Sequence, residues 1–168
     1  GLGAAGYGGD KAIFGFGYTT TNVGMTNLVS NVGVVSTDIT GVGTIRYDTA
    51  ATEYGGDKGI FGYGYASDHS ALSNLVSSSG VVATDVTGVG TARNALAACE
   101  YGADKAIFGF GHTSAANDTT NLVSNVGVVA SDVTGVGTAR GYLAACEYGG
   151  DKGIFGFGNP ATAVTNLV

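Results

Sequence analysis

Apolar positions along the chain fall in short runs, each bounded by glycine, asparagine or aspartate. No run recurs with a 3.6-residue period and no capping box precedes one, so no helix is predicted. Strand signals fill the same space. "LAACEYG" (96–102) reads as a short strand of small residues. A "GGD" or "GAD" turn follows, where glycine supplies the positive φ of a tight hairpin. "KAIFGFG" (105–111) is apolar without alternation, which suits a strand covered on both faces. "TNLVS" (26–30) predicts a third strand, and its turn, Asn31-Val32-Gly33, places glycine third, as a three-residue hairpin requires. "VVSTD" (34–38) predicts a fourth strand, and "ITGVGT" (39–44) leads out to an arginine.

This unit repeats. "YGGDKAIFGFG" (7–17) returns with small changes at 54–64, 101–111 and 148–158, so Asp10, Asp57, Asp104 and Asp151 stand 47 residues apart. Periods of this size belong to solenoids, propellers and arrays, and four antiparallel strands in 40–50 residues make a propeller blade. The sequence therefore predicts an all-β fold in one domain, 1–168, with blades at about 1–41, 48–88, 95–135 and 142–168. The last blade is incomplete, leaving three full blades and three strands of a fourth. Three arrangements stay open: a closed four-bladed ring lacking one outer strand, a segment of a longer propeller or fibre, or an open blade completed by a neighbouring chain. In the last case Thr165, Asn166, Leu167 and Val168 form the assembly edge.

Composition narrows the classes. Charged residues are 12% of the 168, about half of the ~25% usual in soluble domains. With 44% hydrophobic residues the chain does not read as disordered, and its glycines follow no collagen period. No apolar run approaches the ~18 residues of a membrane span. A net charge of −6, with only seven basic residues, argues against nucleic-acid binding. Cys99 and Cys146 occupy equivalent positions, where the other units have Ala5 and Thr52, and are expected to be free, buried thiols that fill space. The start at Gly1, without Met or a signal-peptide pattern, suggests a processed start or a segment of something longer.

The units resemble kelch repeats. "TARNALAACEYGADKAIFGFG" (91–111) follows the family's order of an arginine-led first strand, a hairpin and a hydrophobic second strand ending in glycines. The family's Gly-Gly doublet is here Gly15-Phe16-Gly17, and its outer-strand Tyr and Trp are missing, which leaves Val29, Val34 and Val35 to pack there. The resemblance implies a kelch-like β-propeller that binds through one face. "DKAIFGFG" and "TNLVSNVGVV" also resemble near-identical repeat proteins predicted from tailed phages and aquatic bacteria, which implies a virion or cell-surface setting.

Differences among the units mark candidate site residues. All seven basic residues, and every acid except Asp48, Asp68 and Asp118, recur with the period. Such charges are expected to serve the architecture as turn caps and inter-blade pairs. The non-periodic residues gather between the second and third strands: "YTTTNVGM" (18–25), "YASDHSAL" (65–72), "HTSAANDT" (112–119) and "NPATAV" (159–164). A second variable zone follows each arginine. A meander brings both zones to one end, and loops on a rigid scaffold are where binding usually sits. The candidate ligand-binding residues are Tyr18, Asn22, Met25, Tyr47, Asp48, Tyr65, Asp68, His69, Asn94, His112, Asn117, Asp118, Tyr142 and Asn159. Tyrosine and asparagine are frequent in adaptable recognition surfaces.

Catalytic chemistry finds little support. Asp68-His69 is half a metal site at most, and no other unit supplies matching ligands. "STDITGVGT" (36–44) resembles an Asp-box with one residue too many, so Asp38 reads as a turn residue. The variable set holds no nucleophile with a base beside it. No catalytic residue, metal or cofactor is assigned. The expected role is a non-enzymatic recognition module, binding a glycan or surface protein in a phage appendage or cell-surface fibre, extracellular or on a virion. Homo-oligomer or fibre neighbours are its expected partners, without nucleic acid or membrane insertion. The alternative is a purely structural fibre subunit that assembles through its open end blade.

Overall fold

The computed structural model describes residues 1–135 and 137–168. They form β-strands and no helix, in four three-stranded antiparallel sheets. The first sheet holds β1 (Gly3–Tyr7), β2 (Lys11–Gly15) and β3 (Thr26–Val29). The second holds β4 (Ala50–Tyr54), β5 (Lys58–Gly62) and β6 (Ser73–Val76). The third holds β7 (Ala97–Tyr101), β8 (Lys105–Gly109) and β9 (Thr120–Val123). The fourth holds β10 (Ala144–Tyr148), β11 (Lys152–Gly156) and β12 (Thr165–Leu167). Register repeats from sheet to sheet: Ala5 faces Ile13, Thr52 faces Ile60, Cys99 faces Ile107 and Cys146 faces Ile154.

The predicted fourth strand is a correction. Residues 34–39 meet β3 only at two isolated bridges, Val29 with Val35 and Thr26 with Ile39. Five residues, 35–39, must match four, 26–29, so the ladder breaks as at a bulge. Side chains take over the pairing. Ser36 Oγ accepts the Leu28 N–H at 2.9 Å, and Asn27 Nδ2 donates to the Ser36 carbonyl at 3.2 Å and to Asp38 at 2.8 Å. The turn before it is as expected, with Gly33, Gly80 and Gly127 all left-handed near φ 80°. Val34 and Val35 are exposed rather than packed in an outer strand.

Each sheet stacks on its predecessor through one recurring contact. Phe61 of β5 lies over Gly15, where an added Cβ would meet the ring at 3.0 Å. Phe108 covers Gly62 and Phe155 covers Gly109 in the same way. The glycines are sockets and the rings fill them, which accounts for the unalternating apolar run. Tyr7, Ile13 and Phe16 of the first unit and Phe61 and Val76 of the second make one buried cluster, and equivalent clusters join the later units. Full burial of one such ring contributes roughly 2–3 kcal/mol.

Arginine closes each junction. Arg46, Arg93 and Arg140 are wholly buried. Arg93 Nε donates to the Phe110 carbonyl at 2.7 Å, Nη1 to the Thr91 carbonyl at 3.0 Å and Nη2 to Asn121 Oδ1 at 2.7 Å. Its guanidinium stacks 4.3 Å from the centre of the Tyr63 ring in the preceding unit. Burial pushes the Arg46 pKa down to about 10, against the attraction of Asp85, so the charge stays on at neutral pH. Asp85 accepts from Thr44 N (2.9 Å), Thr44 Oγ1 (2.8 Å) and Asn74 Nδ2 (2.9 Å), and Asp132 repeats the clasp on Thr91 and Asn121. These aspartates, equivalent in the repeat to Asp38, read from sequence as a turn residue, tie the linker of one unit to the next. Lys11, Lys58, Lys105 and Lys152 pair with the adjacent hairpin aspartates.

β1 packs on β4, β4 on β7 and β7 on β10, and these first strands line one groove. Close approach there explains their small residues. The outer face of β10 is exposed, so the stack is open. Cys99 is free and buried as expected, but Cys146 is free and exposed because no later unit covers it. This is a propeller-like repeat that does not close. Among the described residues no helix is long and apolar enough to cross a membrane.

Candidate recognition face

The two variable zones are hydrogen-bonded to each other. Tyr47 and Tyr65 exchange backbone bonds of 3.0 and 2.8 Å, Asn94 and His112 bonds of 3.0 and 2.8 Å, and Gly141 and Asn159 bonds of 2.9 and 2.7 Å. The segment after each arginine therefore lies beside the segment after the next "GFG". The middle aromatic of that motif is held left-handed, with φ near 62° at Phe16, Tyr63, Phe110 and Phe157. A following glycine at φ between 108° and 119° turns the chain out toward this face.

A second row of bonds fixes the spacing of the display. Asp48 N donates to the Gly1 carbonyl at 3.0 Å, Ala95 N to the Asp48 carbonyl at 3.1 Å and Tyr142 N to the Ala95 carbonyl at 2.7 Å. The three donors sit at φ 51–53°, a region that non-glycine residues seldom occupy. Strain of this kind gathers where surrounding structure over-determines a position.

Upon this frame the aromatic side chains form a strip. Tyr18 and Tyr47 lie 5.5 Å apart between ring centres, Tyr47 and Tyr65 5.6 Å, and Tyr65 and His69 5.1 Å. His112 and Tyr142 pair at 5.4 Å. Burial first, then the neighbouring Asp48 and the surrounding tyrosines Tyr65, Tyr142 and Tyr18, raise the Tyr47 pKa, so its phenol keeps its proton at neutral pH. Tyr18 and Tyr142 are 59% and 64% exposed.

The polar candidates mostly serve the frame. Asn22 Nδ2 donates to the Ala66 carbonyl at 3.1 Å, Asn94 Nδ2 donates to Asp48 at 3.3 Å, and Asp48 also holds the N-terminal ammonium at 2.8 Å. Asn117 Oδ1 accepts the Thr119 N–H at 2.7 Å and staples its own loop. Asp68 accepts the His69 N–H at 2.7 Å, its Oδ1 stands 3.4 Å from His69 Nδ1, and the rest of its side chain is in solvent. Met25 lines a hollow of about 290 Å³ together with Phe14, Phe16 and Tyr18, the first ring of the strip, and Asp118 lies against Gly135 near the bulged segment. Thr165 and Leu167 of the expected assembly edge are in β12 and pair with Gly156 and Ile154.

Among the described residues no three His, Cys, Asp or Glu side chains are grouped to hold a metal ion. Sequence reasoning missed Phe14 and Phe157, which stand uncovered at opposite ends of the stack. The available signal was their rank as first and last copies of positions that a neighbouring unit otherwise covers. No protein-family model matches the chain, and no curated protein is similar to it in sequence.

Proposed function

We propose that the chain is a non-enzymatic recognition module that binds a glycan through the strip formed by Tyr18, Tyr47, Tyr65 and Tyr142. The observation that carries this reading is the strip itself: Tyr18, Tyr47 and Tyr65, drawn from separate linkers and loops, meet as tilted ring pairs, Tyr142 pairs with His112 on the same face, and the Tyr18 and Tyr142 rings are largely in solvent. Ring faces give a broad apolar contact at low entropic cost, while phenol hydroxyls and nearby amides offer hydrogen bonds. A sugar presents both kinds of surface. The kelch-like character of the units, and a setting on a virion or cell surface, belong to the same proposal and rest on the resemblance of the repeats.

The test is a glycan array followed by titration calorimetry. Tyr18→Ala and Tyr142→Ala are each expected to weaken binding about tenfold, the loss of one stacking contact of 1–2 kcal/mol. A glycan whose affinity is unchanged in the double variant would sink the reading. Retention of a cell-surface protein, with no glycan bound, would redirect it to a protein ligand on the same face.

A further inference from the structure

Three internal junctions show what a covered sheet face looks like in this protein, and the two ends of the stack show its separated halves. At each junction a phenylalanine of the later sheet seats on glycine of the earlier one, and Phe61, Phe108 and Phe155 are all essentially buried. Phe14 is the same residue in the first sheet; with no earlier sheet beneath it, 40% of it is exposed. Gly156 is the matching socket in the fourth sheet. An added Cβ there meets only Thr165, at 3.6 Å, and a cavity of about 220 Å³ opens between Ala144, Ile154, Gly156 and Phe157.

The backbone is complementary as well. Gly8 N–H donates to the Asp57 carbonyl at 2.7 Å, Gly55 to Asp104 at 2.8 Å and Gly102 to Asp151 at 2.6 Å. The fourth donor in this series is Gly149, and the corresponding acceptor left at the other end is the Asp10 carbonyl. One end thus carries a ring and an acceptor, and the other a socket and a donor, in the register used three times inside the chain.

We propose that separate copies of this chain stack head to tail through these end faces, the Phe14 ring of one copy seated on Gly156 of the next. The occupant is a second copy because the internal junction is the template for the contact. This route is independent of the tyrosine strip and differs from strand addition at β12, since sheet faces meet rather than strand edges. Phe157, the fourth copy of the ring that Arg46, Arg93 and Arg140 cover at Phe16, Tyr63 and Phe110, is 63% exposed at the same end as Gly156. A contact joining unlike faces gives a ring or a filament according to the rotation it imposes.

Sedimentation velocity over a wide range of concentration tests this. The expected result is an average mass that rises with concentration above 16.6 kDa. Phe14→Glu and Gly156→Leu are each expected to abolish the rise. Both sites face open space, so unchanged thermal melting would verify folding. Mixing the two variants should restore one good interface and yield a one-to-one dimer that goes no further. A wild-type chain that stays monomeric overturns the proposal, as does association that survives both substitutions, which would point to the β12 edge. Neither result bears on glycan binding.

Discussion

At the scale of single residues, the buried arginines carry the clearest consequence. Arg93 satisfies three acceptors and stacks on Tyr63, so Arg93→Ala leaves the Phe110 carbonyl and Asn121 Oδ1 buried without it. A loss of about 3 kcal/mol is expected from such a site. Arg140 keeps the bonds to Thr138 and Asn166, but its Nε has no partner among the described residues. Arg140→Ala should therefore cost distinctly less, and urea unfolding of the two variants measures the difference. The carboxyl groups add a pH dependence. For Asp85 and Asp132 burial alone would raise the pKa, but hydrogen bonds from threonine and asparagine and the nearby arginine outweigh it, holding both below 3.8. Their contribution is present above that value and lost as pH falls through the folded-state pKa. Glu53 and Glu100 are raised above 4.5, chiefly by burial, so stability is lost as pH rises through their folded-state values. These carboxyl groups should therefore make the melting temperature fall as pH drops below the ordinary aspartate range and decline again as pH rises above the ordinary glutamate range. Glu100→Gln should flatten the decline toward neutrality, and an unchanged decline in that variant would refute the assignment.

At the scale of strands and turns, one glycine position makes opposite predictions in different sheets. A Cβ at Gly62 would sit 2.6 Å from the Phe108 ring, so Gly62→Ala should lower stability by about 1–3 kcal/mol through overpacking. Gly156 occupies the same place in β11 with open space beside it, and Gly156→Ala should be neutral or slightly stabilising. Differential scanning calorimetry of the pair separates the two cases. The same contrast explains what could be read from sequence. The hairpins and first three strands of each unit were legible because glycine turns and apolar runs are local signals. The bulge that dissolves the fourth strand was not, since it depends on Ser36, Asn27 and Asp38 side chains displacing the ladder. Nor was the exposure of Cys146, whose local sequence matches that of buried Cys99 and whose surroundings depend on rank in the stack. The variable loops were visible as a list, but the ring contacts that join Tyr18, Tyr47 and Tyr65 required the linkers to be placed beside them.

At the scale of the molecule, stability is approximately a sum of unit terms and nearest-neighbour junction terms. Removal of residues 48–94 joins Tyr47 to Ala95, two positions that already stand in equivalent linkers. The shortened chain should fold into three stacked sheets with its remaining junctions intact, seen as an unchanged β-type circular dichroism spectrum and a lowered melting temperature. A chain that loses its sheet signal would show that the units depend on more than their neighbours.

The recurrence of one junction also bears on how such a chain changes over generations. Near-identical coding segments recombine out of step with one another, adding or removing whole units, and every product reuses a contact that already works. Length is then a quantity that drifts freely, while each duplicated unit brings a fresh loop on which mutation can act without disturbing the arginine clamp beneath it.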